Sequence, residues 1–403
     1  MALEDLIETE HQARVVWDFC AGLDLQPLYE SIRSREGGPG RAAIDPRLCV
    51  ALWLYATLEG VGSARALARL CEHHHAFRWL CGGVSVNHHT LSDFRVDHLE
   101  LLDRLLTHSV AVLREQDLVD LNRVAHDGMR VRASAGAASF HRRATLEQCL
   151  AEAEDQVARL REGLEDDPAA PSRRHAAARE RAARERAERL RRALERLPEL
   201  EARKKAGEQD KARASGTDAE ATVMKMADGG YRPAYNVEFG VATGSLVIAA
   251  VEVTTVGSDA GQITPLNDQI HHRHGVYPAA TLTDGGFVSL GDIEAAQAPP
   301  RGTRVYAPVP EPKDPGRDRH TPLPSDGPQV REWRTRMGTE PAKEVYRQRA
   351  STVECVNAQA RNRGLIRLLV RGLRKVKAVA LWFAIAHNLA CGMRLHAAVG
   401  RAG

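Results

Sequence analysis

Between residues 45 and 115, apolar positions recur at helical spacing with short breaks. Leu48, Val50, Ala51, Leu54, Tyr55 and Leu58 form a first run, the pattern of a helix with a core-facing side. Asp45-Pro46 supplies an N-cap with Pro at the first helical position, and Glu59-Gly60-Val61-Gly62 ends the run. Ser63 caps a second helix bearing Leu67, Leu70 and Cys71, and Asn87 or Thr90 caps a third that runs through Leu99 to Leu113. Short helices joined by glycine turns suit a plain helical bundle or a helix-turn-helix, whose last helix enters a major groove.

The period then changes. Arg123-Val124-Ala125-His126-Asp127-Gly128-Met129-Arg130-Val131-Arg132 reads as a strand, with Asp127 aimed off its buried face and His126 on the opposite one. An Asp followed by Gly in such a place is either a turn or edge residue or a functional carboxylate, and Gly128 permits a close approach. After Asp228-Gly229-Gly230, the alternation of Tyr235, Val237, Phe239 and Val241 with Asn236, Glu238 and Gly240 predicts a second strand. Thr243-Gly244-Ser245 turns it into an apolar run from Leu246 to Val253, completing a hairpin. Ser258 or Asp259 is placed to cap a helix through Ile270. Ala279-Ala280-Thr281-Leu282-Thr283-Asp284-Gly285-Gly286 is a second short strand ending in Asp and Gly. A helix (288–298), a strand (303–309) and a proline-rich surface loop follow, with seven of the chain's 19 prolines between Pro308 and Pro328.

Residues 145–213 differ in kind. Leu146, Leu150, Ala153, Val157 and Leu160 form one stripe, Leu190, Leu194 and Leu197 another, with Pro168 and Pro171 between them. The pattern predicts a helical hairpin whose charges nearly balance, either a solvated arm or a dimerisation element. From Pro341 onward the chain is helical and basic, with ten Lys or Arg against Glu344 and Glu354 between 343 and 377. Arg347, Glu354 and Arg361 are spaced to share one helix face. That arrangement suits either a surface ion-pair face or a site where cation and phosphate meet. The last helix, Val376 to Leu395, is apolar enough to pack under the sheet.

Composition adds boundaries. The 403 residues can hold two or three domains, and a net charge of +3 announces no polyanion partner, so the C-terminal basic excess is local. No stretch is expected to supply the ~20 apolar residues of a membrane span. The acidic N-terminus lacks a signal-peptide pattern, and seven scattered cysteines suit reduced thiols, so a cytoplasmic protein is expected. His73, His74, His75, His88 and His89 lie near Cys71 and Cys81, whose spacing matches no common zinc site.

Asp127, Asp284 and Glu354, in this order of elements, resemble the DDE transposases of bacterial insertion sequences, in the group with an InsH-type N-terminal domain. The resemblance rests on Asp45-Pro46-Arg47, the turn from Gly62 to Leu67, and His89-Thr90-Leu91-Ser92-Asp93-Phe94-Arg95. Further along it rests on His126-Asp127-Gly128, Tyr235-Asn236-Val237, Thr283-Asp284-Gly285-Gly286-Phe287, the Glu354 helix and Ala386-His387-Asn388-Leu389. That family's helix signature has two residues between Tyr and Arg, three between Arg and Glu, and six between Glu and Lys. Here Tyr346 and Arg349 keep the first interval, four residues separate Arg349 from Glu354, and Arg361 stands at the Lys position. The longer interval leaves two candidates for the signature arginine, Arg349 and Arg347, the latter on the Glu354 face.

The resemblance implies an α/β, RNase H-like mixed sheet flanked by helices. It divides the chain into a helical DNA-binding domain (1–116), a catalytic domain (117–144 and 214–397) and the helical insertion (145–213). It further implies Mg²⁺-dependent (or Mn²⁺-dependent) cleavage at transposon ends and strand transfer. Asp127, Asp284 and Glu354 would hold two ions ~3.5–4 Å apart. Tyr346, Arg347, Arg349, Arg361 and Arg95 would contact DNA, and the protein would act as a homodimer or higher oligomer on DNA, with no membrane partner. A nuclease without strand transfer and a silent DNA-binding derivative are the alternatives. Asp259 is a competitor for the second acid, though better placed as the helix cap.

Overall fold

A computed structural model describes the chain apart from residues 1, 31, 33–42, 167–169, 313 and 403. The Pro168 turn expected in the insertion therefore lies outside the described residues.

The N-terminal part is helical: α1 (Gln12–Ala21), α2 (Pro46–Leu58), α3 (Ala64–His73), α4 (His88–Asp97) and α5 (Leu99–Glu115). The Asp45 side chain accepts from Arg47 N, and α2 is buried on nearly every side. The single helix expected from Asn87 to Leu113 is instead two, broken at His98 (φ −111°, ψ 44°). The break leaves the Arg95 carbonyl without its helical partner, and Trp382 Nε1 donates to it at 2.9 Å.

The sheet is built from β1 (Arg123–Arg132), followed by the helical insertion α6 (Arg143–Asp166) and α7 (Ala170–Ala202), then β2 (Thr222–Lys225), β3 (Tyr231–Ala242) and β4 (Ile248–Thr254). Next come α8 (Ile263–His274), β5 (Ala280–Leu282), α9 (Leu290–Gln297), β6 (Arg304–Tyr306), α10 (Pro328–Met337), α11 (Glu340–Arg349), a π turn (Ala350–Glu354), α12 (Cys355–Asn362) and α13 (Leu373–Ala402). β1 is central. It pairs antiparallel with β3 and parallel with β5, and β6 extends the parallel side. The outer edge of β3 is shared: residues 231–234 pair with β2, and 236–241 with β4. The result is a mixed α/β fold with a mixed sheet and many helices.

One continuous core joins the N-terminal helices to the sheet, with α13 between them. Its Trp382, Phe383 and Ile385 are almost wholly buried, contributing on the order of 2–3 kcal/mol each. This helix also corrects the expectation about spans. Leu373–Val399 is long and apolar enough to cross a membrane, and 78% of its apolar window is buried inside the fold. The insertion has its own small core, in which Leu146 and Ala153 meet Ala187, Leu190 and Leu197.

Candidate functional site

The register places the two Asp-Gly motifs side by side. Ala125 pairs with Leu282 at the end of the parallel ladder, so Asp127 and Asp284 each stand two residues beyond that pair on neighbouring strands. Asp284 opens a short 3₁₀ turn, its Oδ1 accepting from Gly286 N at 2.8 Å. Asp127 Oδ2 accepts from Asn357 Nδ2 at 2.9 Å. Burial first and the neighbouring Asp284 second push the Asp127 carboxyl up to about 6, against the pull of Arg349.

The basic helix lies over this pair. Arg349, 14% exposed, sits 4.0 Å from Asp127 Oδ2 and donates from Nη2 to Glu354 Oε1 at 3.0 Å. Tyr346 is half-buried; burial raises its phenol pKa, Arg349 opposes the rise, and Asp284 and Asp127 add to it. Arg123 Nη1 donates to Gln348 Oε1 at 2.8 Å, tying α11 to the foot of β1.

The structure bears on three expectations here. First, of the two candidate arginines it is Arg349 that lies against Glu354, while Arg347 is exposed and pairs with Glu344. A π turn holds one residue more per turn than an α turn. The extra residue between Arg349 and Glu354 is taken up in the Ala350–Glu354 π turn, and the two side chains meet across it. Second, Arg95, expected at the DNA, is half-buried and engaged within the fold. Its Nη1 donates to the Gly62 carbonyl at 2.6 Å, its guanidinium lies 4.7 Å from the Trp53 ring, and burial pulls its pKa down to about 10. Third, Asp259 caps no helix. Asp292 accepts from Ile263 N and Thr264 N instead, while Asp259 is buried and accepts from Arg130 Nη2 at 2.9 Å and Asn236 Nδ2 at 2.6 Å.

Asp259 also explains Gly128. A Cβ at 128 would collide with Asp259 Oδ1 and come within 2.9 Å of Asn236 Oδ1. Asn236 and Glu238, polar in the strand's alternation, are fully buried beside it, and burial with Asp259 and Glu252 nearby pushes Glu238 up to about 8. His126 is buried next to Phe287, its pKa pulled down to about 3 by desolvation. Sequence reasoning missed Asn357, Arg130, Asn236 and Glu238. The signal for the last three was a polar residue at every second position of two paired strands. Arg361 is exposed on α12 and lines a groove with Gly128 and Arg130. Among the described residues, no three His, Cys, Asp or Glu side chains stand close enough together to hold a metal ion.

Two family models match the chain: a transposase domain over residues 1–97 and a transposase DDE domain over residues 318–391. In that order they match the parts of a DDE transposase of an insertion sequence. The second match contains Tyr346, Arg349, Glu354 and Arg361, while Asp127 and Asp284 lie outside both. No curated protein and no solved structure matches the chain.

Proposed function

We propose that the chain is an active transposase that cuts DNA at the ends of its insertion sequence and joins them to target DNA, with Asp127, Asp284 and Glu354 as the acidic triad. The observation that carries this is the Asp127–Asp284 pair at one level of two parallel strands, under the helix bearing Tyr346, Arg349 and Glu354. The strand order, three antiparallel strands continued by two parallel ones through β1, supports an RNase H-like catalytic fold.

The residues fit a divalent cation in part. Two adjacent carboxylates, one with its pKa raised by burial and by the other, have negative charge to share with an ion. Glu354 is held by Arg349 through Oε1 alone, and its side chain is 60% exposed. Mg²⁺ or Mn²⁺ held by Asp127, Asp284 and Glu354, two ions per site, would supply an activated water or 3′-hydroxyl and stabilise the leaving oxygen.

The protein's own groups do the rest. Asn357 fixes the Asp127 carboxylate by its 2.9 Å bond. Arg349 and Tyr346 stand where a scissile phosphate would approach, a guanidinium and a phenol suited to its oxygens. Arg361 would hold the neighbouring backbone. The protein would work in the cytoplasm, as a dimer or higher oligomer on DNA.

The test is incubation of the purified protein with duplexes spanning both ends of the element that carries the reading frame. Nicks leaving 3′-hydroxyls, requiring Mg²⁺ or Mn²⁺ and abolished by a chelator, are expected. Intact duplex under all conditions, or nicking that the chelator leaves unchanged, contradicts the reading.

A further inference from the structure

Two grooves flank the edge strand β2, and both are lined with cations. The first, about 610 Å³, starts at Gly128 beside Asp127 and is walled by Arg130, Arg132, Lys225, Arg232 and Arg361. The second, about 620 Å³, lies at the root of the insertion, where Arg142, Arg203, Lys204, Lys211 and Arg213 face the Thr222–Val223 end of the same strand.

Some of these charges are spent. Arg130 pairs with Asp259, Arg232 with Asp228, Arg203 with Glu199 and Lys211 with Glu208. Arg132, Lys225 and Arg361 in the first groove, and Arg142, Lys204 and Arg213 in the second, are exposed and form no ion pair among the described residues. Among the described residues, no acidic side chain lines the second groove. The upper part of the insertion is mixed: Arg161 and Arg184 pair with Glu180, Arg191 with Glu154 and Arg192 with Glu188, while Arg179, Arg181 and Arg186 are exposed with no ion pair among the described residues. The root carries acids as well, Glu199, Glu201, Glu208 and Asp210, but none of them is in the lining of this groove.

A cation on an edge strand also discourages pairing with another sheet, and Lys225 alone would be accounted for that way. Five further unpaired cations on both flanks of one strand of four residues exceed that need. Like charges gathered in this density repel one another unless a polyanion neutralises them. β2 is ~13 Å long at ~3.3 Å per residue, so the two grooves span several phosphates of one DNA strand.

We infer that the two grooves form one tract, in which the phosphate backbone of duplex DNA runs from the catalytic carboxylates across β2 to the root of the insertion. The root of the insertion is thus a DNA-binding site, and its outer part is not. The inference rests on the transposase reading for its direction, from the cut site outward.

The test replaces three root cations together, Arg142→Gln, Lys204→Gln and Arg213→Gln, and compares them with three exposed arginines of the upper insertion, Arg179→Gln, Arg181→Gln and Arg186→Gln. Both sets remove the same net charge. Binding of a labelled mixed-sequence duplex is followed by anisotropy across a range of salt concentrations. The root set is expected to lower the slope of log affinity against log salt by ~2–3, at ~0.9 for each phosphate that the protein ceases to neutralise. Its affinity should fall ~10-fold or more at low salt, with the control set close to wild type. Equal effects of the two sets, or an unchanged slope in the root set, overturn the inference. If the root set fails to fold, amine-reactive labelling of wild-type Lys204 decides: protection by the duplex supports the tract, and unchanged labelling overturns it. A wild-type protein that binds with the expected slope and never cuts counts against the catalytic reading alone. A root variant that cuts with an unaltered slope counts against the tract alone.

Discussion

Glu238 and Asp127 are acids raised by burial on opposite faces of the central sheet, and they differ in what could relieve them. Asp127 stands at the surface end of the site, where a cation can reach it. Glu238 is buried, with Asn236 Nδ2 at 2.8 Å from Oε1 and, among the described residues, no partner for Oε2. Its folded pKa of about 8 lies above the ordinary carboxylate value. Its share of stability is therefore full at low pH and is lost as pH rises from about 4.5 through about 8. Glu238→Gln removes this loss. Its melting temperature relative to wild type should climb with pH across that window and level off above it. A constant difference at all pH values would mean that Glu238 does not titrate in the fold. At this scale the sequence was legible for Asp127 and Asp284, because Asp-Gly at a strand end leaves a local mark. It was not legible for Asp259, whose partner Arg130 lies 129 positions away.

The π turn is the element that decides which arginine serves the site. An apolar period of 3.6 carries no sign of an inserted residue, so the sequence put Arg347 on the Glu354 face and left it a candidate beside Arg349. The Ala350–Glu354 turn accommodates the additional position and brings Arg349 to Glu354 and Asp127. Arg349→Ala is expected to cut the cleavage rate ~100-fold or more, the scale of removing one pre-positioned charged donor. Arg347→Ala, giving up only an exposed pair with Glu344, should stay within ~3-fold of wild type. Cleavage rates on the same end duplex check both, and the reverse ranking would reassign the arginine. The break at His98 was hidden for a similar reason: the Trp382 indole that takes the freed Arg95 carbonyl comes from the far end of the chain.

Over the whole molecule, the sheet gathers residues from three distant stretches, and α13 binds the helical N-terminal part into the same core. The expected boundary near residue 116 thus marks a change of secondary structure, with packing continuous across it. The insertion leaves β1 after Asp127 and keeps a core of its own, so its length does not disturb the carboxylates. Order of elements, alternation and the Asp-Gly marks made the mixed α/β architecture readable. Side-chain partnerships across the sheet were not, because they depend on register. The central claim is that Asp127, Asp284 and Glu354 act together on DNA. It is tested most directly by cleavage of labelled end duplex in Mg²⁺ by Asp127→Ala, Asp284→Ala and Glu354→Ala, with binding of the same duplex measured in parallel. Loss of cleavage in all three with duplex binding retained is the predicted result; full cleavage by any one of them would contradict the account.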